Sequence, residues 1–485
     1  MQRIVHSPLE SPAFHYFKEI SSIPHGSYHE AALADWLVNF GNERGFETIR
    51  DAHDNVIIKK PATPGYENKP GVMLQGHIDM VCLADPGVNH NFLTDPLKLK
   101  LDGDILTAEG TTLGADDGTA VCHMLALLDE EDYKHPALEC VFTTQEEVGL
   151  VGALALDASP LQSAYMISMD SGSGRENETT VSCAGGTILQ LRKKPVWEAA
   201  SGTALELDVS GLLGGHSALM IDKERGNATK ILARILTAIS DVTEMHLVSI
   251  SGGVKMNAIP ANAHAVITAA DADAACQAAG KLADAIRGEL STTDPGFAFS
   301  FLSAEGASRQ LDAGTTKDLV SLLFLIPTGV RSMSSDFPGL VAASNNNGVL
   351  TMDEDEIFIE TCVRAAEDSL RLQVNREIRM LADLFGFSVT IKADFSGWKF
   401  EPDSAIRTRA MSLYERKFGQ KMEMVATHGG MEMGAFISKL PHLQIFCCAP
   451  DCGNPHTPDE YLNLTSLARM YEYLKDLLEE LAEEG

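Results

Sequence analysis

The sequence predicts an α/β fold in which a sandwich of helices and a largely parallel sheet is interrupted by one large insertion. Apolar strand-like runs alternate with amphipathic helices between residues 30 and 170, and the same texture returns after Gly397. The intervening residues 204–302 follow the order β-α-β-β-α-β, which is typical of a ferredoxin-like unit. The predicted domain bounds are 1–185 together with 396–485 for the outer domain, and 186–395 for the insertion.

The outer domain begins with an amphipathic helix at residues 30–44. Its apolar residues recur at the i, i+3, i+4 and i+7 positions of one helical face: Leu33, Trp36, Leu37 and Phe40. The elements predicted after it are strands near 55–58 and 72–75, a helix around 121–128, strands at 138–144 and 164–170, and a closing helix at 465–483. Ligands bind at the carboxyl ends of parallel strands, so polar residues that follow these strands are candidates for a site.

The insertion contains two predicted β-α-β-β-α-β units. The first has strands at 204–209, 247–251, 264–269 and 297–302, with helices at 227–239 and 272–289. Residues 310–394 then repeat a helix, two paired strands, a helix and a strand, although no residue-level repeat is visible. We therefore expect an α+β domain of two ferredoxin-like units, the second of them degenerate.

Composition and charge exclude several classes of protein. With 485 residues, of which 45% are hydrophobic, the chain can bury a substantial core, which excludes disorder of the whole. The 38 basic residues against 68 acidic ones give a net charge of −30, which repels phosphate backbones and anionic lipids. We expect no nucleic-acid or membrane partner. The first residues lack a signal-peptide pattern, so we expect a cytoplasmic protein.

The nine cysteines do not form a recognisable framework. Their number is odd, their positions are scattered and no C-x-x-C occurs. Cys447, Cys448 and Cys452 lie close in sequence, but the second thiol pair of a structural zinc site is absent. We expect reduced, buried thiols.

Carboxylates and histidines follow five of the apolar strand-like runs, each in a turn-like segment. The five segments are 75–79, 114–118, 144–149, 169–171 and 454–460. So many carboxylates in one place need a cation to offset their repulsion. Carboxylate and imidazole ligands suit Zn²⁺, Co²⁺ or Mn²⁺, and several carboxylates favour two ions that share a bridging carboxylate. Any one segment alone would be read as a turn, a helix cap or a solvated strand end; the set of five favours a site.

The motifs in these segments resemble those of the di-zinc metallopeptidases that include glutamate carboxypeptidases, aminoacylases and carnosine dipeptidases. The matching motifs, in order, are GHIDMV from Gly76, LGADDG from Leu113, TTQEEVGLVGA from Thr143, MDS from Met169 and NPHTPDE from Asn454. The insertion is similar to the aminoacyl-histidine dipeptidase branch of that family in its segments GGHS from Gly214, KMNAIP from Lys255 and TCVR from Thr361.

The resemblance implies a zinc-peptidase-like, three-layer α/β/α catalytic domain with an inserted lid and dimerisation domain. It implies that Asp116 bridges two divalent metal ions, most simply zinc, and that the peptide bond from Asp116 to Asp117 is cis. The remaining ligands are His77 and Asp170 for one ion and Glu147 and His456 for the other. By the same resemblance, Asp79 orients His77 from behind, and Glu146 is the general base that later protonates the leaving amine.

The resemblance also implies substrate-binding residues in the insertion. His216 would stabilise the oxyanion, and Asn257 and Arg364 would hold the substrate, Arg364 through its terminal carboxylate. Gly430, in His428-Gly-Gly430, would contact the substrate backbone. A surface Arg paired with a Glu, and a tight turn at 428–430, are the alternatives. His123 lies on a helix and is interpreted as a core histidine.

The function implied is metal-dependent hydrolysis of small dipeptides, with a preference for Xaa-His substrates such as carnosine (β-alanyl-histidine), by a homodimer. Two alternatives use the same metal chemistry, an N-acyl amino-acid deacylase and a carboxypeptidase, and only the lid would distinguish them. A third alternative is a non-enzymatic relative, which should have lost the base or a ligand. All seven expected positions are present here.

Overall fold

The chain divides into two compact units in the structure, a computed structural model that describes residues 7–170 and 173–483. Unit 1 comprises the described residues of Met1–Ser182, Trp398–Thr427 and Met431–Gly485, and unit 2 comprises Cys183–Gly397 and His428–Gly430. The sequence-based bounds place residues 428–430 in the outer domain, whereas their contacts group them with unit 2. Ser171 of the MDS motif lies outside the described residues.

The N-terminal part of unit 1 alternates helices with strands, after a short 3₁₀ helix at Pro8–Glu10. Its elements in chain order are α1 (Pro12–Ser21), α2 (Ala31–Glu43), β1 (Glu47–Arg50), β2 (Val56–Lys60), β3 (Val72–His77), β4 (Leu99–Asp102), β5 (Ile105–Ala108), α3 (Ala115–Asp129), β6 (Leu138–Thr143), α4 (Val151–Ala155), β7 (Tyr165–Ser168) and β8 (Glu178–Thr180).

Unit 2 is richer in strands and contains a second 3₁₀ helix at Ile221–Lys223. Its elements are β9 (Gly185–Lys193), β10 (Trp197–Ala199), β11 (Thr203–Ser210), β12 (Gly215–His216), α5 (Ala228–Ser240), β13 (Met245–Gly252), β14 (Ala258–Ile259), β15 (Ala263–Ala269), α6 (Ala272–Glu289), β16 (Ala298–Ser303), β17 (Arg309–Leu311), α7 (Ala313–Leu325), β18 (Gly329–Met333), β19 (Val341–Met352), β20 (Ile357–Ala365), α8 (Asp368–Leu384) and β21 (Ser388–Phe395).

The chain then returns to unit 1 for its remaining elements. These are α9 (Ala405–Phe418), β22 (Glu423–Val425), α10 (Glu432–Lys439), β23 (Gln444–Cys447), β24 (Cys452–Gly453), β25 (Tyr461–Asn463) and α11 (Leu464–Glu483).

The main sheet of unit 1 has the strand order β1-β2-β6-β3-β7-β23. Its four strands from β6 to β23 are parallel, while β1 and β2 form an antiparallel edge. Val72 and Leu74 of β3 belong to the core that includes residues of α1, α3 and α11, and Met73 between them is equally buried. Burial of successive residues means that both faces of the sheet are covered, as the predicted α/β class requires.

Unit 2 is built on one antiparallel sheet with the order β16-β11-β15-β13-β19-β20-β9-β21, and β18 pairs with β19. Strands β11, β13, β15 and β16 with α5 and α6 form one β-α-β-β-α-β unit, whose fourth and second strands lie at its edges. Strands β9, β19, β20 and β21 with α7 and α8 repeat that arrangement. Within unit 2, these two β-α-β-β-α-β repeats join where Gly252 of β13 pairs with Leu350 of β19.

The second of these units begins earlier in the chain than the sequence analysis predicts. Its first strand is β9, which precedes the whole first unit, so the first unit is inserted between β9 and α7. The prediction that the repeat starts near residue 310 is therefore wrong. The cause is physical: a local hydrophobic period identifies a strand but carries no information on which distant strand pairs with it.

Local signals explain why the helices of unit 2 start where they do. The side chains of Asn227, Asp271 and Asp312 each accept a hydrogen bond from the backbone N–H three residues later, and so cap α5, α6 and α7. Along β11, Leu205 and Leu207 are buried while Glu206 between them is half-buried, the period of a strand covered mainly on one face.

All nine cysteines are free thiols, and six of them are buried. This agrees with the reduced thiols expected from the sequence. Within residues 7–170 and 173–483, none of the helices combines the length and the apolar character that a bilayer span requires.

Candidate metal centre

The predicted ligands of unit 1 follow neighbouring parallel strands. His77 is the last residue of β3, and the segment that carries Glu146 and Glu147 follows β6, whose Thr143 pairs with His77 in register. Asp170 comes two residues after β7. Because these strands are parallel, their carboxyl ends meet at one edge of the sheet, where ligands bind in open α/β folds.

Asp116 lies between two imidazoles. Its Oδ1 is 3.1 Å from Nε2 of His77, and its Oδ2 is 3.5 Å from Nε2 of His456. Nε2 of His456 is also 2.6 Å from Oε1 of Glu147. Ligand atoms of His77, Asp116 and Glu147 all lie within 4.8 Å of one another. The two oxygens of one carboxylate thus face different histidines, an arrangement suited to bridging two cations.

Asp79 connects the end of β3 with the loop that follows β6. The Nδ1–H of His77 donates to the backbone carbonyl of Asp79 at 3.0 Å, which leaves Nε2 of that ring to face Asp116. The carboxylate of Asp79 accepts the N–H of Glu146 at 2.9 Å, the N–H of Glu147 at 3.3 Å and the hydroxyl of Ser27 at 2.8 Å. The imidazole and the Glu146-Glu147 backbone are therefore held by one buried residue, the first through its backbone carbonyl and the second through its carboxylate.

The raised pKa values of His77 and His456 show that the electrostatic potential at the cluster is strongly negative. Hydrogen bonds to Asp116 and Glu147 raise the pKa of His456 to about 10. Burial opposes the charged form of His77, yet hydrogen bonds to Asp116 and Asp79 outweigh it and hold the pKa of His77 well above its usual range. Both shifts mean that positive charge is favoured at the point where the two imidazoles face Asp116.

Glu146, which precedes the proposed ligand Glu147, has a shifted pKa. Burial raises the pKa of Glu146 well above its usual range, and the carboxylates of Asp170, Glu147 and Glu432 act in the same direction against the opposing charge of His77. A raised pKa makes the Glu146 carboxylate a stronger base than an ordinary glutamate, as proton transfer from water requires.

The peptide bond from Asp116 to Asp117 is cis, as the resemblance implied. Oδ2 of Asp117 is buried and has no hydrogen-bond partner among the described residues. A Cβ on Gly76 would lie 2.6 Å from this Oδ2 and 2.2 Å from Cβ of Ala120, so only glycine permits the close approach of β3 and α3.

A cavity of about 200 Å³ adjoins the cluster. Its walls include Asp116, Asp117, Asp170, Cys452 and Asn454. Asp170 thus lies at the same cavity as the proposed bridging residue. The donor set fits divalent cations: carboxylates and imidazoles converge, the buried Oδ2 of Asp117 beside them has no hydrogen-bond partner among the described residues, and the local potential favours positive charge.

Glu432, the first residue of α10, has a place in the cluster that the sequence does not predict. Its side chain is 1% exposed, and its Oε2 accepts hydrogen bonds from the amide of Gln75 at 2.5 Å and from the hydroxyl of Thr143 at 2.6 Å. Burial raises the pKa of Glu432 to about 7. The only sequence signal is an acidic residue within the apolar run Met431 to Phe436, which by itself does not reveal what the carboxylate contacts.

His123 is a core histidine, as predicted. It is 1% exposed, its Nδ1 lies 2.7 Å from the carbonyl of Thr119, and its Nε2 lies 3.0 Å from the carbonyl of Leu467.

The predicted substrate-binding residues all belong to unit 2. His216 is exposed on β12, and its Nε2 lies 3.5 Å from Nδ2 of Asn257, which precedes β14. Arg364 on β20 is 8% exposed, and its Nε has no hydrogen-bond partner among the described residues. Burial lowers the pKa of His216, and the charge of Arg364 lowers it further. Cβ on Gly430 would lie 3.0 Å from the ring of Phe395.

His428 begins the segment 428–430 that the sequence analysis predicts to contact the substrate backbone. It is buried, its Nε2 accepts the hydroxyl of Ser344 at 2.7 Å, and Ser344 pairs in register with Arg364. Burial lowers the pKa of His428 to about 3, with a smaller contribution from Arg364. The imidazole is therefore neutral and adds no positive charge beside Ser344, the register partner of Arg364.

Comparison with known proteins gives concordant matches. The profile of the family described as Peptidase family M20/M25/M40 matches residues 73–480. Over 476 residues, 97% of both chains, the sequence is 34% identical to the cytosol non-specific dipeptidase of Escherichia coli (strain K12). The crystal structure of aminoacylhistidine dipeptidase from Vibrio alginolyticus superposes with a TM-score of 0.88 at 32% identity, covering 100% of this chain and 99% of that one.

A more distant structure shares the fold alone. Aminopeptidase PepT from Bacillus cereus matches with a TM-score of 0.55 at 17% identity, over 97% of this chain and 98% of that chain.

Proposed function

The chain belongs to the M20/M25/M40 peptidase family and is a dipeptidase, and we propose that it hydrolyses unblocked dipeptides, preferentially Xaa-His, at two divalent metal ions. The observation that carries the proposal is the position of Asp116, whose two carboxylate oxygens face His77 and His456 separately. The preference for a C-terminal histidine is supported by the similarity to a protein named aminoacylhistidine dipeptidase.

The proposed ligands divide into two sets that share Asp116. His77 and Asp170 would hold one ion, and Glu147 and His456 would hold the other. Zinc fits this donor set, and cobalt and manganese are its closest competitors. Bound ions would supply Lewis acidity at the substrate carbonyl and lower the pKa of the attacking water.

Glu146 is the proposed general base. It removes a proton from the attacking water as the water oxygen bonds to the carbonyl carbon, and it returns that proton to the amide nitrogen when the C–N bond breaks. Two features support this role. The backbone of Glu146 is fixed by Asp79 at 2.9 Å, and burial raises the pKa of its carboxyl.

The residues of unit 2 are proposed to bind the substrate. Arg364 offers a buried guanidinium whose Nε lacks a partner among the described residues, and a substrate carboxylate would satisfy that donor. His216 and Asn257 lie side by side at 3.5 Å and would donate to the oxyanion and to the substrate backbone. Gly430 would contact the substrate backbone. We further propose that the protein is a cytoplasmic homodimer.

A kinetic panel on metal-depleted and reloaded protein tests the proposal. The substrates are β-alanyl-histidine, other Xaa-His dipeptides, histidine-free dipeptides, N-acetyl-histidine and tripeptides, each with zinc, cobalt or manganese restored. We expect activity only after a metal is restored and the highest kcat/KM for Xaa-His.

Three outcomes would change the assignment. A preference for N-acetyl-histidine indicates a deacylase, and release of C-terminal residues from longer peptides indicates a carboxypeptidase. Equal cleavage of histidine-free dipeptides leaves the dipeptidase intact and removes the histidine preference.

A further inference from the structure

Glu460 is a buried carboxylate that the metal chemistry does not use. It lies four residues after His456 and immediately before β25, and its side chain is 3% exposed. Strand β25 pairs with β24 on one side and with β5 on the other, and Leu462 within it is fully buried. The backbone that carries Glu460 is therefore anchored in a sheet of its own.

The carboxylate of Glu460 accepts four consecutive backbone N–H groups. Oε2 accepts from Leu113 at 2.7 Å and from Gly114 at 3.0 Å. Oε1 accepts from Ala115 at 2.8 Å and from Asp116 at 3.2 Å. These N–H groups lie in the turn that leads into α3, where Asp116 and Asp117 have non-helical backbone angles. Burial raises the pKa of Glu460, and the backbone donors oppose that shift.

The local backbone conformation is what lets the four N–H groups converge. Gly114 has φ of 70°, in the left-handed region, at the point where the chain turns into α3. A turn of this kind directs successive N–H groups into one concave surface, which binds an anionic oxygen. Here the anion is a side chain of the same chain, 344 to 347 residues away.

We propose that Glu460 is a positioning residue that fixes Asp116 and His456 relative to each other before any metal ion binds. It holds the N–H of Asp116 directly, and it belongs to the same loop as His456. Oδ2 of Asp116 lies 3.5 Å from Nε2 of His456. This distance sets where the proposed bridging carboxylate stands relative to the imidazole of the second proposed ion. The inference rests on the proposed two-cation site and concerns how that site is preorganised.

The isosteric variant Glu460→Gln tests this role, because an amide replaces one acceptor oxygen with an NH₂ that faces two N–H donors. The readout is the dissociation constant of Zn²⁺ for the metal-depleted protein, measured by competition with a chromophoric chelator, and the visible absorption of the Co²⁺-loaded protein. We expect the dissociation constant to rise about 10- to 100-fold, the range typical of residues that orient metal ligands. At saturating metal, we expect KM for a dipeptide to change by less than about threefold.

Glu139→Gln is the matched control. Glu139 also lies in unit 1, is 7% exposed, and accepts hydrogen bonds from the N–H groups of Gln162 and Ser163 and from the hydroxyl of Ser163. Its removal breaks a comparable set of bonds away from the proposed ligands. We expect zinc affinity within about threefold of the parent protein, alongside a lower unfolding temperature.

Several outcomes would overturn the inference. One is zinc affinity of Glu460→Gln within threefold of the parent, and another is an equal loss in Glu139→Gln. If Glu460→Gln does not unfold cooperatively, zinc affinity is measured on Glu460→Asp instead. This variant has a shorter side chain and keeps the charge, and zinc affinity within threefold of the parent would again overturn the inference. Failure of both Glu460 variants to fold would make Glu460 a general folding requirement and contradict the role. If the parent protein itself does not bind two ions, the proposed function fails instead.

Discussion

His77 and Asp79 of the candidate metal centre in unit 1 are held more firmly than His216, a proposed substrate-binding residue of unit 2. His77 and Asp79 are each 1% exposed, and Asp79 accepts three hydrogen bonds from Ser27 and from the Glu146 and Glu147 backbone. His216 is exposed, and its contact with Asn257 is a long 3.5 Å.

This difference suggests a division of labour. Side chains that bind cations and transfer a proton must be fixed by surrounding hydrogen bonds. Side chains that bind different substrates can remain mobile. Variants of unit 1 should therefore change metal binding and turnover, and variants of unit 2 should change turnover or substrate binding with the metal intact.

The largest effect is expected for Asp116→Asn. Loss of the proposed bridging carboxylate would remove a ligand from both proposed ions, and we expect activity to fall about 10⁴-fold or more, equal to about 5.5 kcal/mol of barrier. Fewer than two ions should remain bound, as measured by metal analysis after dialysis. Asp51→Asn removes a carboxylate that accepts the N–H groups of His53 and Asn55, and should keep both ions.

Variants of the adjacent Glu146 and Glu147 separate the roles of base and metal ligand within unit 1. Glu146→Gln should lose about 10²- to 10⁴-fold in kcat, the usual contribution of a general base, and keep both ions. Glu147→Gln removes a proposed ligand and should lose an ion as well as activity. Metal content and kcat measured on the same samples separate the two roles; a Glu146→Gln protein with normal kcat would rule out the base.

His216→Ala addresses unit 2. Removal of one oxyanion donor typically costs about 10²- to 10³-fold in kcat, and we expect this loss with two ions still bound. His264→Ala, which removes another histidine of unit 2, bonded to Asp208 at 3.0 Å, should leave kcat unchanged. If His216→Ala lost metal, the distinction between metal-binding residues in unit 1 and substrate-binding residues in unit 2 would be wrong.

The smallest effect concerns stability and Glu432. The pKa of this buried acid is about 7 in the folded protein, above its ordinary value of 4.5, so the folded state binds more protons than the unfolded state between these values. Its stabilising contribution is complete below pH 4.5 and is lost as the pH rises through 7, by about 2 kcal/mol between pH 5 and 7.

Urea unfolding of the metal-free protein at a series of pH values measures this loss. Glu432→Gln keeps an oxygen acceptor for Gln75 and Thr143, and should reduce the fall in unfolding free energy by about 2 kcal/mol over that range. An unchanged pH profile in the variant would show that Glu432 does not titrate there. Glu139→Gln serves as the control for loss of a buried carboxylate.

The sequence predicts those parts of the molecule that depend on local pattern. His77 at the end of a buried strand, and Asp116 in a glycine-bounded turn, follow from hydrophobic runs and motif spacing. The parallel character of β3, β6 and β7 follows from alternation with helices. In each case the signal lies within about twenty residues of the feature it predicts.

What the sequence does not predict depends on contacts between distant segments. Glu432 bonds Thr143, 289 residues away, and Gln75, 357 residues away. Strand β9 completes a unit whose next helix, α7, begins only at Ala313. A single sequence carries no local trace of such pairings, because an acidic residue or an apolar strand looks the same whichever partner it meets.

We propose that dipeptide hydrolysis by this chain requires two ions that share Asp116. Titration of the metal-depleted protein with zinc, with hydrolysis of β-alanyl-histidine followed at each addition, tests this requirement. Activity should be restored in full at two equivalents of zinc per chain and not before. Full activity at one equivalent, or turnover by the metal-free protein, would contradict it.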